Sequence, residues 1–165
     1  YQIEKEGATT LWERWEFLNN DKCFNSHSHP FAGSVDVYFY KILAGLGLDE
    51  EVSGFKKIIL KPIMSGDLPY ASASVNTIRG KVVSAWERND EELRYKVEVP
   101  GNTTAELYIP KNAWDKIEIT EGTKSCWNGE NAVDVEGMTY LREEEKYVVY
   151  QIEAGSYEFK VAPVK

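Results

Sequence analysis

Two periodicities divide the chain. In "SVDVYFYKILAGL", Val35, Tyr38, Phe39, Ile42, Leu43 and Leu46 recur at i, i+3, i+4, i+7, i+8 and i+11, the spacing of one helical face. Ser34 suits the N-cap, and Gly45 and Gly47 supply a stop, so the pattern predicts a short amphipathic helix. After Gly54 the period falls to two. "LRYKVEV" puts Leu93, Tyr95, Val97 and Val99 on one face and Arg94, Lys96 and Glu98 on the other. "FKKIILKP", "AELYI", "KIEI", "KYVVYQI" and "SYEFKV" repeat the theme, with Pro, Gly and Asn between them. Short strands spaced by turn signals predict an antiparallel β-sandwich or barrel.

The expected class is therefore mainly β, an antiparallel β-sandwich preceded by a short α segment. The change of period places a boundary at "DEEVSG", separating residues 1–48 from 49–165. A lone amphipathic helix must bury its apolar face against something. Two arrangements satisfy it: packing on the sandwich, or membership of a helical domain that lies upstream.

One tripeptide, Trp-Glu-Arg, occurs twice. The second copy, Trp86-Glu87-Arg88, lies in "GKVVSAWERNDEELRYKVEV", which reads as a hairpin whose connection is Asn89-Asp90-Glu91-Glu92. Val82, Ser84 and Trp86 share one face and Val83, Ala85 and Glu87 the other. Neither face is cleanly apolar, so the pattern does not choose between them. Glu87 and Arg88 beside the turn are expected to be solvated, with no walls to shift a pKa or exclude water.

The first copy has different company. Glu13 lies between Trp12 and Trp15, after the small-residue run Gly7-Ala8-Thr9-Thr10. Indole faces suit the C–H face of a sugar ring, a carboxylate among them can activate water, and threonine hydroxyls can orient a neighbour. The competing reading is a helix start with both tryptophans in the core and Glu13 in solvent. Downstream, "NSHSHPFAGS" holds the chain's two histidines, His27 and His29. His-x-His spacing ligates a metal only with a third ligand, and neither Cys23, Asp21 nor Asp36 stands at a diagnostic spacing. No metal or other cofactor is expected. No nucleophile-elbow pattern surrounds Ser26, Ser28 or Ser34.

Composition narrows the classes further. The 165 residues are 42% hydrophobic and 28% charged, which describes a globular chain with enough length for a core. A net charge of −8 with no basic cluster argues against a nucleic-acid partner. No apolar run reaches the roughly 18–20 residues that span a bilayer. The 13% aromatic content fits both β-structure and carbohydrate handling, with Trp114 or Trp127 as candidate stacking platforms. Two cysteines, Cys23 and Cys126, make no disulfide framework; free thiols are expected, with a single bridge left open. The opening "YQIEKEG" has neither an initiator Met nor a signal peptide and reads as the interior of a longer or processed protein.

"GATTLWERWE", "SHSHPFAGSVDVYFYKILAGL" and "GFKKIILKP", continuing through "GKVVSAW" and "VPGNTTAELYIP" to "GSYEFKV", together resemble the C-terminal part of glycoside hydrolase family 78, the bacterial α-L-rhamnosidases. The resemblance covers nearly the whole chain. It implies an (α/α)6 catalytic barrel ending at about residue 48 and a β-sandwich after it, and hydrolysis of terminal α-L-rhamnose with inversion by two carboxyls. Residue by residue it implies Glu13 as general base, with His29 and Trp15 contacting the sugar. Ser28 stands where the family has Asn before this His, and Glu16 where Asp is commoner; the short spacing between the motifs leaves His27 as the alternative to His29. Glu16, three residues from Glu13, is too close to act as the acid from across the sugar. The resemblance thus implies a piece carrying the base without the acid, inactive alone, whose partners are a rhamnose-containing carbohydrate and an upstream barrel. The compartment is left open, with a bacterial periplasmic or extracellular setting as the expectation. The uncovered helix at residues 34–46 would favour self-association. The alternatives to this reading are a stand-alone carbohydrate-binding or structural sandwich.

Overall fold

The structure, a computed structural model, describes residues 2–14 and 26–164. It forms two compact units, Tyr1–Tyr38 and Phe39–Lys165. Trp15, Glu16 and Cys23 lie outside the described residues.

In the first unit a short helix, Gln2–Glu6, opens the chain, and a helical run begins at Pro30. That run is a 3-10 turn at Pro30–Ser34, one α-helical turn at Val35–Val37 and a π-helical turn at Tyr38–Leu43. It differs from the regular helix predicted from residue 34 onward. Proline at the first position fixes φ and needs no amide partner, so the coil starts there; Ser34 lies within it and makes no side-chain cap. The far end comes earlier than expected. Gly45 has φ +72°, and a Cβ there would lie 2.1 Å from the Pro62 nitrogen and 2.2 Å from the Lys61 carbonyl carbon. The chain turns through this contact, and Leu46 becomes a buried strand residue instead of a helical one.

Among the described residues the second unit contains eleven strands. In chain order they are β1 (Leu46–Leu48), β2 (Lys57–Leu60), β3 (Tyr70–Thr77), β4 (Gly80–Arg88), β5 (Leu93–Val99) and β6 (Thr104–Pro110). Then follow β7 (Ile117–Glu121), β8 (Lys124–Trp127), β9 (Met138–Glu143), β10 (Tyr147–Ile152) and β11 (Gly155–Pro163). One sheet has the order β1-β2-β6-β10-β9 and the other β3-β4-β5-β11-β7-β8. All pairings are antiparallel except β2 with β6, which run parallel, Lys57 opposite Thr104 and Leu60 opposite Leu107.

The core is the space between the sheets, as period-two burial demands. Ile58, Leu60, Leu107, Ile109, Tyr150 and Ile152 from the first sheet share one cluster with Val82, Trp86, Leu93, Tyr95, Val97, Phe159 and Val161 from the second. The predicted sandwich and the alternation in "LRYKVEV" are thus as expected. The ambiguous strand β4 is resolved as well: Val82, Ser84 and Trp86 face inward. Ser84 breaks the apolar pattern because its hydroxyl has work inside. It donates to the Ala44 carbonyl at 2.5 Å, and the Tyr95 hydroxyl lies 3.0 Å away. The Trp86 indole N–H donates to the Leu43 carbonyl at 2.7 Å.

The hairpin connection is as read. Asn89 N–H donates to the Glu92 carbonyl at 3.0 Å, and the Asn89 side-chain oxygen accepts from the amides of Glu91 and Glu92. Arg88, expected in solvent, is instead an anchor. It donates to the carbonyls of Leu68 and Gly66 at 3.1 and 2.5 Å and to Asn112 Oδ1 at 3.2 Å. Trp127 is not a platform either: it is 3% exposed and stacks on Tyr140. Cys126 is a free, buried thiol whose burial pushes its pKa up to about 12.

Candidate functional site

In the first unit, residues 10–13 and 26–29 are bound to each other across the intervening segment. The His29 amide donates to the Leu11 carbonyl at 2.7 Å. Glu13 and Ser26 are joined twice: the Glu13 amide donates to the Ser26 carbonyl at 2.9 Å, and the Ser26 amide donates to Glu13 Oε2 at 2.9 Å. Thr10 Oγ1 donates to the His27 carbonyl. The two motifs that the sequence leaves a dozen residues apart thus form one bracket, carrying Glu13, His27 and His29 together.

Each member has a distinct setting. Trp12 is buried, and its indole stacks on the His27 ring with centroids 4.7 Å apart and planes 26° from parallel. The His29 ring meets Phe31 edge-on, with centroids 6.3 Å apart. Glu13 is exposed. One carboxylate oxygen is engaged by a backbone amide, which fixes the direction of the group while Oε1 takes no part in that bond. A carboxylate oriented in this way is suited to accept a proton from a water molecule or to hold a hydroxyl. Trp15 falls outside the described residues.

The Thr10 hydroxyl acts on a neighbour, as the small-residue run suggested, but the neighbour is a backbone carbonyl of the histidine loop. Sequence reasoning missed Ser26, whose contribution is its main-chain amide and carbonyl. Such a role leaves no trace in residue identity. It also missed the Trp12–His27 stack, since nothing in the spacing brings position 12 to position 27. Neither histidine is accompanied by a metal-ligating cluster among the described residues.

Comparison with known proteins assigns both parts of the chain. Residues 1–43 match the model of the bacterial alpha-L-rhamnosidase 6 hairpin glycosidase domain. Residues 47–124 match that of the bacterial alpha-L-rhamnosidase C-terminal domain. An alpha-L-rhamnosidase of Formosa agariphila is 31% identical over 160 residues, which are 94% of this chain and 16% of that protein. One of Streptomyces avermitilis is 30% identical over 166 residues, 98% of this chain and 14% of that protein. Among solved structures, the alpha-L-rhamnosidase from Dictyoglumus thermophilum superimposes with a TM-score of 0.80 at 38% identity, covering 97% of this chain and 17% of that one. The Streptomyces avermitilis enzyme complexed with L-rhamnose gives 0.68 at 28% identity, covering 97% and 14%. The chain spans between 14% and 17% of the length of these relatives. It belongs to the bacterial alpha-L-rhamnosidase family, of which it carries the C-terminal domain and an adjoining piece of the 6 hairpin glycosidase domain.

Proposed function

We propose that residues 1–48 close the (α/α)6 catalytic barrel of an inverting α-L-rhamnosidase and that residues 49–165 are its accessory β-sandwich. Glu13 is the general base; His29 and Trp15 contact the rhamnose. The observation that carries this reading is the bracket itself. A carboxylate oriented by a main-chain amide lies on the same hydrogen-bonded frame as the histidine loop, inside the segment matched by the glycosidase-domain model. The stack of His27 on Trp12 favours His29 as the sugar contact, because one face of the His27 ring is already occupied.

In an inverting hydrolysis Glu13 removes a proton from water as its oxygen attacks the anomeric carbon. An acid on the opposite side protonates the leaving oxygen, the two carboxyls standing roughly 6.5–9.5 Å apart. That acid belongs to sequence outside this chain, so the 165 residues alone give no turnover. The large exposed side chains of the helical run, among them Phe31 (80% exposed), Val37 and Tyr40, support an upstream domain as their cover.

The test is a chimera in which this chain replaces the corresponding C-terminal segment of the Dictyoglumus thermophilum enzyme. It should release aglycone from an aryl α-L-rhamnoside. Glu13→Gln should lower kcat by about 10²–10⁴, the usual contribution of a positioned base. An active chimera indifferent to Glu13→Gln removes Glu13 from the reaction. Turnover by the 165-residue chain alone, abolished by the same substitution, overturns the need for an external acid.

A further inference from the structure

The second unit holds a cavity of about 490 Å³ at one end of the sandwich. This lies within the roughly 300–1,000 Å³ typical of small-molecule sites. Its wall comes from three connections: residues 62–64 after β2, residues 111–115 after β6, and residues 145–146 between β9 and β10. Trp114 and Tyr147 supply aromatic surface, Asn112 an amide, Asp115 and Glu145 carboxylates, and Lys146 an ammonium.

The wall is built to hold its shape. Arg88 fixes Asn112 Oδ1 while its other donors hold the 66–68 loop. The Trp114 amide donates to the Lys111 carbonyl at 3.0 Å, the Lys111 amide to the Lys146 carbonyl at 3.0 Å, and the Lys111 ammonium pairs with Glu143 at 2.5 Å. The Tyr147 hydroxyl donates to the Pro62 carbonyl at 3.0 Å. Two successive non-glycine residues in this wall, Asn112 and Ala113, have φ of +49° and +62°. Left-handed backbone is unfavourable for alanine and persists where the surroundings over-determine it, a circumstance concentrated at ligand sites. Asp115, Glu145 and Lys146, by contrast, make no ion pair or side-chain hydrogen bond among the described residues. The side chains left unengaged are the ones with hydrogen-bonding capacity to offer a ligand.

We propose that this cavity is a non-catalytic carbohydrate subsite, taking a pyranose unit of a glycan with its C–H face on Trp114 and its hydroxyls on Asn112, Asp115, Glu145 and Lys146. Mixed aromatic and polar walls suit a ring with one apolar face and a rim of hydroxyls. A phosphorylated ligand fits worse: of the lining cations, Arg88 is committed to the Leu68 and Gly66 carbonyls and Asn112, and Lys111 to Glu143, which leaves Lys146 in the same lining as the carboxylates of Asp115 and Glu145. The choice of a glycan rests on the rhamnosidase reading; the position of the site does not.

The experiment is calorimetric titration of the 165-residue chain with methyl α-L-rhamnopyranoside, cellobiose, lactose and xylobiose, each to about 20 mM, beyond the millimolar dissociation constant of a small site. At least one probe should bind saturably. Trp114→Ala should weaken that binding tenfold or more, and Asp115→Ala/Glu145→Ala, at exposed positions that do not support the fold, should weaken it too. Glu13→Gln should leave it unchanged. No saturable binding by any probe, or binding indifferent to both pocket variants in folded protein, overturns the subsite. Failure here leaves hydrolysis by the chimera untouched, and an inactive chimera leaves the titration untouched, so the two readings fail separately.

Discussion

Ser84 offers a sharp test of how this sandwich tolerates polarity in its core. Ser84 and Tyr95 are both fully buried. The serine proton is committed to the Ala44 carbonyl at 2.5 Å, so the Tyr95 hydroxyl, 3.0 Å away, must be the donor to Ser84. Burial raises the Tyr95 pKa well above the usual phenol value, which keeps it a neutral donor. Ser84→Ala strands two groups, a carbonyl and a phenol, and each unsatisfied buried group costs about 1–3 kcal/mol. With partial relaxation the expected loss is about 2–4 kcal/mol, or roughly 5–10 °C in Tm for a chain of this size. Tyr95→Phe removes the phenol and leaves Ser84 bonded to Ala44, at a cost of about 0–1 kcal/mol. The double variant strands only the carbonyl. It should therefore be no less stable than Ser84→Ala alone, with a coupling of about 1–2 kcal/mol in the cycle. Urea unfolding followed by tryptophan fluorescence measures all four proteins, with an unchanged m-value as the check on comparability. Ser84→Ala within 0.5 kcal/mol of the parent, or a double variant at the sum of the singles, refutes the reasoning.

Two further outcomes concern the second unit. Gly45→Ala should cost more than about 3 kcal/mol and abolish soluble folded protein, since a Cβ there meets main-chain atoms in a left-handed backbone; a folded variant with parental Tm would show that the 61–62 segment yields. Burial opposes ionisation of Glu106, but bonds from Arg142 and Tyr108, both at 2.8 Å, outweigh it and hold the carboxyl below its usual value near 4.5. A depressed folded value contributes stability that is present above pH 4.5 and lost as pH falls through the folded value. Glu106→Gln should therefore lower Tm at neutral pH and flatten its decline below pH 4.5, and an acid limb as steep as the parent's would assign that decline to other groups.

The sequence was most legible where burial alternates. β5 and β11 carry clean two-residue periods, and the Asn89 turn announces itself chemically. It was least legible at the margins of the sheets. β9 is largely exposed, and β3 alternates small residues such as Ala and Ser, so neither shows an apolar face to find. Ser84 misled for the opposite reason, a polar residue buried because two partners await it. The helical run was read with the right composition but the wrong ends, because Gly45 is set by a contact with Pro62, seventeen residues away in sequence. At the candidate site the residue types of Glu13 and His29 were readable, whereas the frame that joins them is main-chain hydrogen bonding, to which side-chain patterns are blind.

The lone parallel pairing, β2 with β6, also sets an order of events. β3, β4 and β5 are joined by tight connections and pair with immediate neighbours, so they can assemble as soon as they exist. β2 must wait for residues 104–107 before it gains its inner neighbour, and β6 in turn waits for β10. During synthesis the hairpins of one sheet precede the completion of the other, and the β1–β2 ribbon spends that interval with an open edge. The first sheet is closed by strands drawn from both ends of this unit, so slow refolding and edge-to-edge aggregation, more than equilibrium stability, are where its topology exacts a cost.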